Sequence, residues 1–387
     1  MNLERTSTIA LPTAIQLGSA ANTRIPALDG LRGLASLMVL TYHFGPHIVR
    51  DDNSVFAVLH RIPPFWFHGV DLFFVLSGFL ISRILIAVRE SPNYYYTFYI
   101  RRLFRICPLY YLVFFGYALA VVLGYANTEQ RLFENPLPLW TYALYAQNIS
   151  MATANSFGAI WMAGTWSLAV EEQFYLALPL VIHKVTDRRL FLYAFTALAG
   201  SVVLRALVQK FQFIPGMAGY VLLPMRLDSL AVGVIVTLIV GHQSSWLTLY
   251  RRRIVIATAA MCGLWTIYPY LPNPHAVRLA FIHHTMSALA FGAILLSLLI
   301  SPAGACARVL STKFMRTVGN MAYGTYLFHP IMLCVAFRMM RGKDPILSGV
   351  ADLVPLVLAC IGTLCISWLA WSYIESKLLR YGHAFQY

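Results

Sequence analysis

The stretch Gly69-Val70-Asp71-Leu72-Phe73-Phe74-Val75-Leu76-Ser77-Gly78-Phe79-Leu80-Ile81-Ser82-Arg83-Ile84-Leu85-Ile86-Ala87-Val88 decides the fold. Its ionisable residues, Asp71 and Arg83, stand toward opposite ends, and what lies between is apolar or small. Roughly 20 residues of helix extend about 30 Å, the thickness of a bilayer's hydrocarbon core. A helix satisfies its own backbone while its side chains face lipid, so the stretch reads as a membrane-crossing helix.

Comparable runs recur in both directions, giving spans near 28–49, 69–88, 105–125, 166–183, 190–209, 221–241, 254–271, 279–301, 318–338 and 351–374. Over 387 residues the chain is 59% hydrophobic and 11% charged, with a mean hydropathy of +0.66. So few charges cannot cover a water-facing surface. The expectation is an all-α, polytopic membrane helix bundle of about ten transmembrane helices. Residues 1–25, rich in Ser, Thr and Ala and without a clear cleavage site, read as a flexible N-terminal tail. Residues 26–380 read as one membrane domain and 381–387 as a C-terminal tail. No internal repeat of the transporter kind is visible.

The net charge of +14 is spread through short gaps between apolar runs rather than gathered on a basic domain. That is how topology-setting charge is distributed, and it argues against nucleic acid as a partner and for membrane lipids. With both termini cytosolic, inside segments hold about twice as many Lys and Arg residues as outside ones. Segment 137–151 is a short apolar run after Pro136 and Pro138 that ends at Gln147 and Asn148. As a span it would invert everything downstream and expose Lys184, Arg188, Arg189 and Arg251–Arg253 outside, so it goes with 126–165. It is expected outside, as a re-entrant or interfacial turn. The six cysteines form no CxxC pair, so neither a disulfide framework nor a metal site is indicated.

Ionisable groups inside membrane helices are costly and usually functional. The first span carries Asp29, Arg32 and His43. Arg32 and His43 are eleven residues apart, near three turns, so they share a face about 16 Å apart along the axis. His43 suits a general base; the plainer reading is a snorkelling Arg32 and a His43 bonded to a backbone carbonyl. Asp71 is level with His43 and could orient its imidazole, or could simply meet its own helix macrodipole. Ser77 and Gly78 read as close-packing residues. Glu171 and Glu172 are neighbours pointing about 100° apart, so at most one faces the bundle interior. Arg101, Arg102 and Arg105 follow an aromatic run, where they either set topology or grip phosphate. Tyr326 and His329 share a face at i, i+3, and His329 alone reads as structural.

Taken in order, Ile25 to Gly33 with Arg32, then His43, Gly69 to Ile81, the Arg-Arg-x-x-Arg and Pro-Leu-Tyr of Phe98 to Tyr110, Thr165 to Pro179, Arg226-Leu227-Asp228 and Tyr323 to His329 resemble the membrane acyltransferase 3 family. The resemblance implies an O-acyltransferase that moves an acyl group, acetyl above all, from cytosolic acyl-CoA to a hydroxyl of an extracytoplasmic or lipid-linked saccharide or a small molecule. It implies catalytic roles for His43, Arg32, Glu171 and Asp71, and a grip on acyl-CoA by Arg101, Arg102, Arg105 and Tyr326. Acyl-CoA would be a co-substrate, with no tightly bound cofactor and no metal. Because the chain stops soon after the last span, the acceptor is expected to reach the membrane domain directly. A bacterial cytoplasmic membrane is the implied location. The rival reading is a transporter or flippase for a glycan or lipid-linked precursor, with the buried charges lining its path.

Overall fold

In the computed structural model, which describes residues 24–49, 64–125, 131–242, 245–267 and 282–387, each apolar run contains a helix. The N-terminal tail up to residue 23 lies outside the described residues. The long helices are α1 (Pro26–Phe44), α2 (Gly69–Ala87), α3 (Tyr94–Val122), α4 (Trp166–Lys184), α5 (Asp187–Phe211), α6 (Leu223–Gly241), α7 (Arg251–Ile267), α8 (His283–Ile300), α9 (Lys313–Arg341) and α10 (Leu353–Ala370). A π-helical turn, Trp371–Glu375, joins α10 to α11 (Ser376–Ala384). Among the described residues no strand forms, and Val49 and Leu347 make an isolated parallel bridge.

Among the described residues six helical segments are long and apolar enough to cross a membrane: Trp66–Ala87, Tyr94–Val122, Asp187–Phe211, Ala218–Gly241, His283–Ile300 and Val350–Ala384. The chain is thus a multi-pass, all-helical membrane protein. The shortfall from the expected ten has two causes. Helix α7 is described over 17 residues, up to Ile267, where the described stretch ends. Helices α1, α4 and α9 carry Asp29, Arg32 and His43, then Glu171 and Glu172, then Tyr326 and His329, which dilute their apolar runs. Three of the four helices that fall short, α1, α4 and α9, carry site candidates. Outer faces elsewhere are apolar and exposed, as Phe195 on α5 and Phe115 on α3 show, which suits lipid contact.

Segment 137–151 contains no helix of membrane-crossing length. It folds as Leu139–Ala143 and the start of Gln147–Ala154, broken where Tyr145 takes φ +53°. If both ends of this excursion lie on one side, Glu134→Cys and Thr153→Cys, both at exposed positions, should react equally with an impermeant thiol reagent applied to sealed cells. Labelling of one alone would place a crossing between them.

Two glycine-lined crossings fix the bundle. On α1, a Cβ at Gly30 would collide with the Leu310 carbonyl, and Gly319 of α9 lies just as close to the Asp29 carbonyl. Where α2 meets α6, Gly78 abuts the Leu230 carbonyl and Gly233 abuts that of Val75. Small residues let backbones approach when lipid offers no hydrophobic drive for association. These crossings fix α1 against α9 and α2 against α6, Gly69 sets α2 against Ala35 and Val39 of α1, and α4 completes an enclosure.

Candidate functional site

The enclosure is a cavity of about 610 Å³ walled by α1, α2, α3, α4, α9, the π-helical turn and α11. That volume suits a small-molecule ligand. One end is basic: Arg24, Arg32, Arg83, Arg102 and Arg105 face Asp29, Glu171 and Glu375, five cations against three carboxylates. Arg24 Nε donates to Asp29 at 2.6 Å, and Arg32 Nη1 stands 3.8 Å from the same carboxylate. The buried Nε of Arg102 has no acceptor among the described residues, while its guanidinium lies over the rings of Phe98 and Tyr175. Unspent donors in a cationic pocket are suited to phosphate oxygens.

Midway along the wall, Ser77 Oγ donates to Glu171 at 2.5 Å, and Tyr175 donates to Ser77 Oγ at 3.0 Å. Ser77 therefore faces the cavity rather than a packing interface, as its neighbour Gly78 does. Of the paired carboxylates, Glu171 lines the cavity and Glu172 does not. At the far end stands Tyr326, whose hydroxyl donates to the Gly164 carbonyl at 2.8 Å and lies 2.6 Å from Ser167 Oγ.

His43 lies beyond that end. Its ring is 4.9 Å from His329 and 5.3 Å from His47, and the ring of Tyr326 is 6.0 Å from His329. His43 Nδ1 sits 2.8 Å from the Val39 carbonyl of its own helix. A carbonyl can only accept, so Nδ1 carries the hydrogen and the lone pair is on Nε2. The backbone bond and the base are compatible in one ring, although the sequence offered them as alternatives.

Asp71 is the main correction in placement. It does not meet His43. Its Oδ1 accepts from Arg226 Nη2 at 2.6 Å and Ser229 Oγ at 2.9 Å, and its Oδ2 accepts from His68 Nδ1 at 2.8 Å and His284 Nδ1 at 3.1 Å. Both Asp71 and Arg226 are 1% exposed, and the guanidinium is boxed by Phe74, Trp166 and Tyr220. Once the lone pairs are committed to α6 and α8, none is left to orient an imidazole on α1. His68, Asp71 and His284 bring one potential metal ligand each to within 4.8 Å of one another. Arg226 already balances that carboxylate, so the group is satisfied in charge and hydrogen bonding as it stands. A second buried pair, Arg205 with Asp228 at 2.7 Å, ties α5 to α6.

Arg101 also parts from its expected company. Its Nε and Nη2 donate to the Phe385 carbonyl at 2.9 and 2.6 Å, and the guanidinium lies 4.7 Å from the Tyr387 ring. Neighbouring helical residues diverge by about 100°, so Arg101 pins residues 385–387 against α3 while Arg102 and Arg105 face the cavity. Sequence reasoning also missed Glu375, which reaches the cavity from the π-helical turn with a buried Oε1 that has no partner among the described residues. A one-residue π insertion often marks a functional position, but it leaves no trace in hydropathy.

A family model described as an acyltransferase domain (acyltransferase 3) matches residues 25–372, which contain the site residues named above except Arg24, Glu375 and the C-terminal Phe385 and Tyr387. YrhL of Bacillus subtilis, whose name carries peptidoglycan O-acetylation as a provisional assignment, is 27% identical over 92% of this chain and 55% of its own length. The peptidoglycan O-acetyltransferase OatA of Listeria monocytogenes is 25% identical over 92% of this chain and 56% of its own. The O-acetyltransferase OatA of Staphylococcus aureus is 24% identical over 92% and 58%. The chain spans little more than half the length of these relatives. No solved structure matches it. The family match runs through α1 to α10 and so through all the long helices that build the cavity: this multi-pass bacterial membrane protein belongs to the acyltransferase 3 family.

Proposed function

We propose that the chain transfers an acetyl group from acyl-CoA to a hydroxyl of a cell-wall saccharide, with His43 as general base. One observation carries this reading: a single cavity has Arg32, Arg102 and Arg105 at one end and Tyr326 at the other, beside the His329–His43 pair. The acceptor class is taken from the peptidoglycan and O-acetyl activities in the relatives' names. The arginine end faces the cytosol, where acyl-CoA is made, and its guanidiniums hold the phosphates. The pantetheine arm runs past Ser77 and Glu171 and brings the thioester to Tyr326. There Nε2 of His43 takes the acceptor's hydroxyl proton, the oxygen bonds to the thioester carbon, and the C–S bond breaks to free CoA.

The direct test supplies purified protein with acetyl-labelled acetyl-CoA and peptidoglycan-derived oligosaccharides. Label should appear as an alkali-labile ester on the sugar, with one free thiol per ester. Uptake of saccharide into vesicles with no ester formed would replace this reading with the transporter.

The arginines give a sharper expectation. Arg102→Gln and Arg105→Gln should each raise the KM for acetyl-CoA about tenfold, since a hydrogen bond to a charged group contributes about 1.5–3 kcal/mol. Their kcat should change little, because phosphate contacts are alike in ground and transition states. Arg101→Gln should leave KM unchanged and loosen the C-terminal segment. Steady-state kinetics on the three variants decides; a raised KM for Arg101→Gln alone would reverse the assignment.

A further inference from the structure

His329 stands one helical turn beyond Tyr326 on α9, and only 2% of it is exposed. Its Nδ1 lies 3.1 Å from the Thr325 carbonyl, just as His43 Nδ1 lies 2.8 Å from that of Val39. The same rule applies to both rings: each Nδ1 carries the hydrogen, and each lone pair sits on Nε2. The Nε2 of His329 is buried and has no hydrogen-bond partner among the described residues. An orphaned buried acceptor costs on the order of 1–3 kcal/mol, which a structural histidine has no reason to bear. The two rings are 4.9 Å apart between centroids, and Tyr326, 6.0 Å from His329, lines the cavity, whose wall stops at Tyr326 short of both histidines.

We propose that His329 is a second catalytic imidazole, which receives from His43 the proton taken from the acceptor and delivers it to the leaving sulfur. The proposal rests on the acyl-transfer reading above. His43 Nε2 removes the hydroxyl proton as the acceptor oxygen bonds to the thioester carbon. The C–S bond then breaks with its electron pair on sulfur. The proton moves from His43 Nε2 to His329 Nε2 and from there to the thiolate, which gives the free thiol. No proton is gained or lost overall. A lone imidazole pinned by its backbone bond would have to serve an oxygen on one side and a sulfur on the other; two pinned rings divide the task.

His329→Asn keeps a donor for the Thr325 carbonyl but has nothing at the Nε2 position. Its kcat should fall about 10²-fold with the KM for acetyl-CoA unchanged. The double variant His43→Gln/His329→Asn should fall within about threefold of His43→Gln alone, because residues acting as a unit are not additive. In His329→Ala, added imidazole should restore part of the turnover, a recovery that a packing defect would not give. Wild-type turnover in His329→Asn, losses that multiply in the double variant, or no rescue of folded His329→Ala would each overturn the pair. If His43→Gln is inactive and His329→Asn is not, the second imidazole alone is refuted; absence of transfer by the wild type refutes the reading beneath it.

Discussion

Asp71→Ala is expected to cost about 3–5 kcal/mol of stability, the usual penalty for leaving a buried charge without its partner. The charge left behind is Arg226, 1% exposed and 2.6 Å from the carboxylate in the intact protein. Its Nε and Nη1 already lack acceptors among the described residues, so it has no second anion to turn to. Ser229, His68 and His284 would lose their acceptor in the same step. Helices α2, α6 and α8 are joined at this point, so the loss should appear as lower yield of monodisperse protein and a lower unfolding temperature in detergent. Asp71→Asn keeps part of the hydrogen bonding and should be milder. A variant at Asp71 that folds like the wild type yet has lost its kcat would return the residue to the chemistry.

The second large effect belongs to His43. Removing a general base typically costs 10²–10⁴-fold in rate, and His43→Ala should fall in that range while acetyl-CoA still binds. His43→Gln should be nearly as inactive, because an amide takes no proton at neutral pH. Arg32→Ala should differ from both. Arg32 lines the cavity beside Asp29, so its loss should act first on donor affinity. Arg32→Lys should recover part of it if point charge suffices, and little if a bidentate fork is needed. Turnover of purified variants at saturating acetyl-CoA separates these cases.

The sequence revealed the helices because each apolar run is a local property, and the Arg32–His43 face because eleven residues of helix have a fixed geometry. Gly78 was legible as a close-packing residue for the same reason. Ser77 was not, because its partner Glu171 is 94 residues away and nothing local says which neighbour a hydroxyl will find. Asp71 illustrates the limit more fully: three of its four partners, Arg226, Ser229 and His284, come from 155 to 213 residues downstream. The expected level placement with His43 does not hold either, since Gly69 at the start of α2 already lies against Ala35, Met38 and Val39 of α1, short of His43, and height alone does not give direction. The same blindness to direction grouped Arg101 with Arg102 and Arg105, although successive residues point to different sides of α3. Glu375 was missed because a π-helical turn rotates it inward against the α-helical period.

The claim that the donor is held at one end of the cavity and reacts at His43, beyond the other, is tested most directly by equilibrium titration of acetyl-CoA into purified wild type, Arg102→Gln/Arg105→Gln and His43→Gln, with acetyl transfer assayed on the same samples. The arginine variant should bind at least tenfold more weakly than the wild type. His43→Gln should bind with wild-type affinity and transfer essentially nothing. Equal affinity in all three, or loss of binding on changing His43 alone, would contradict the account.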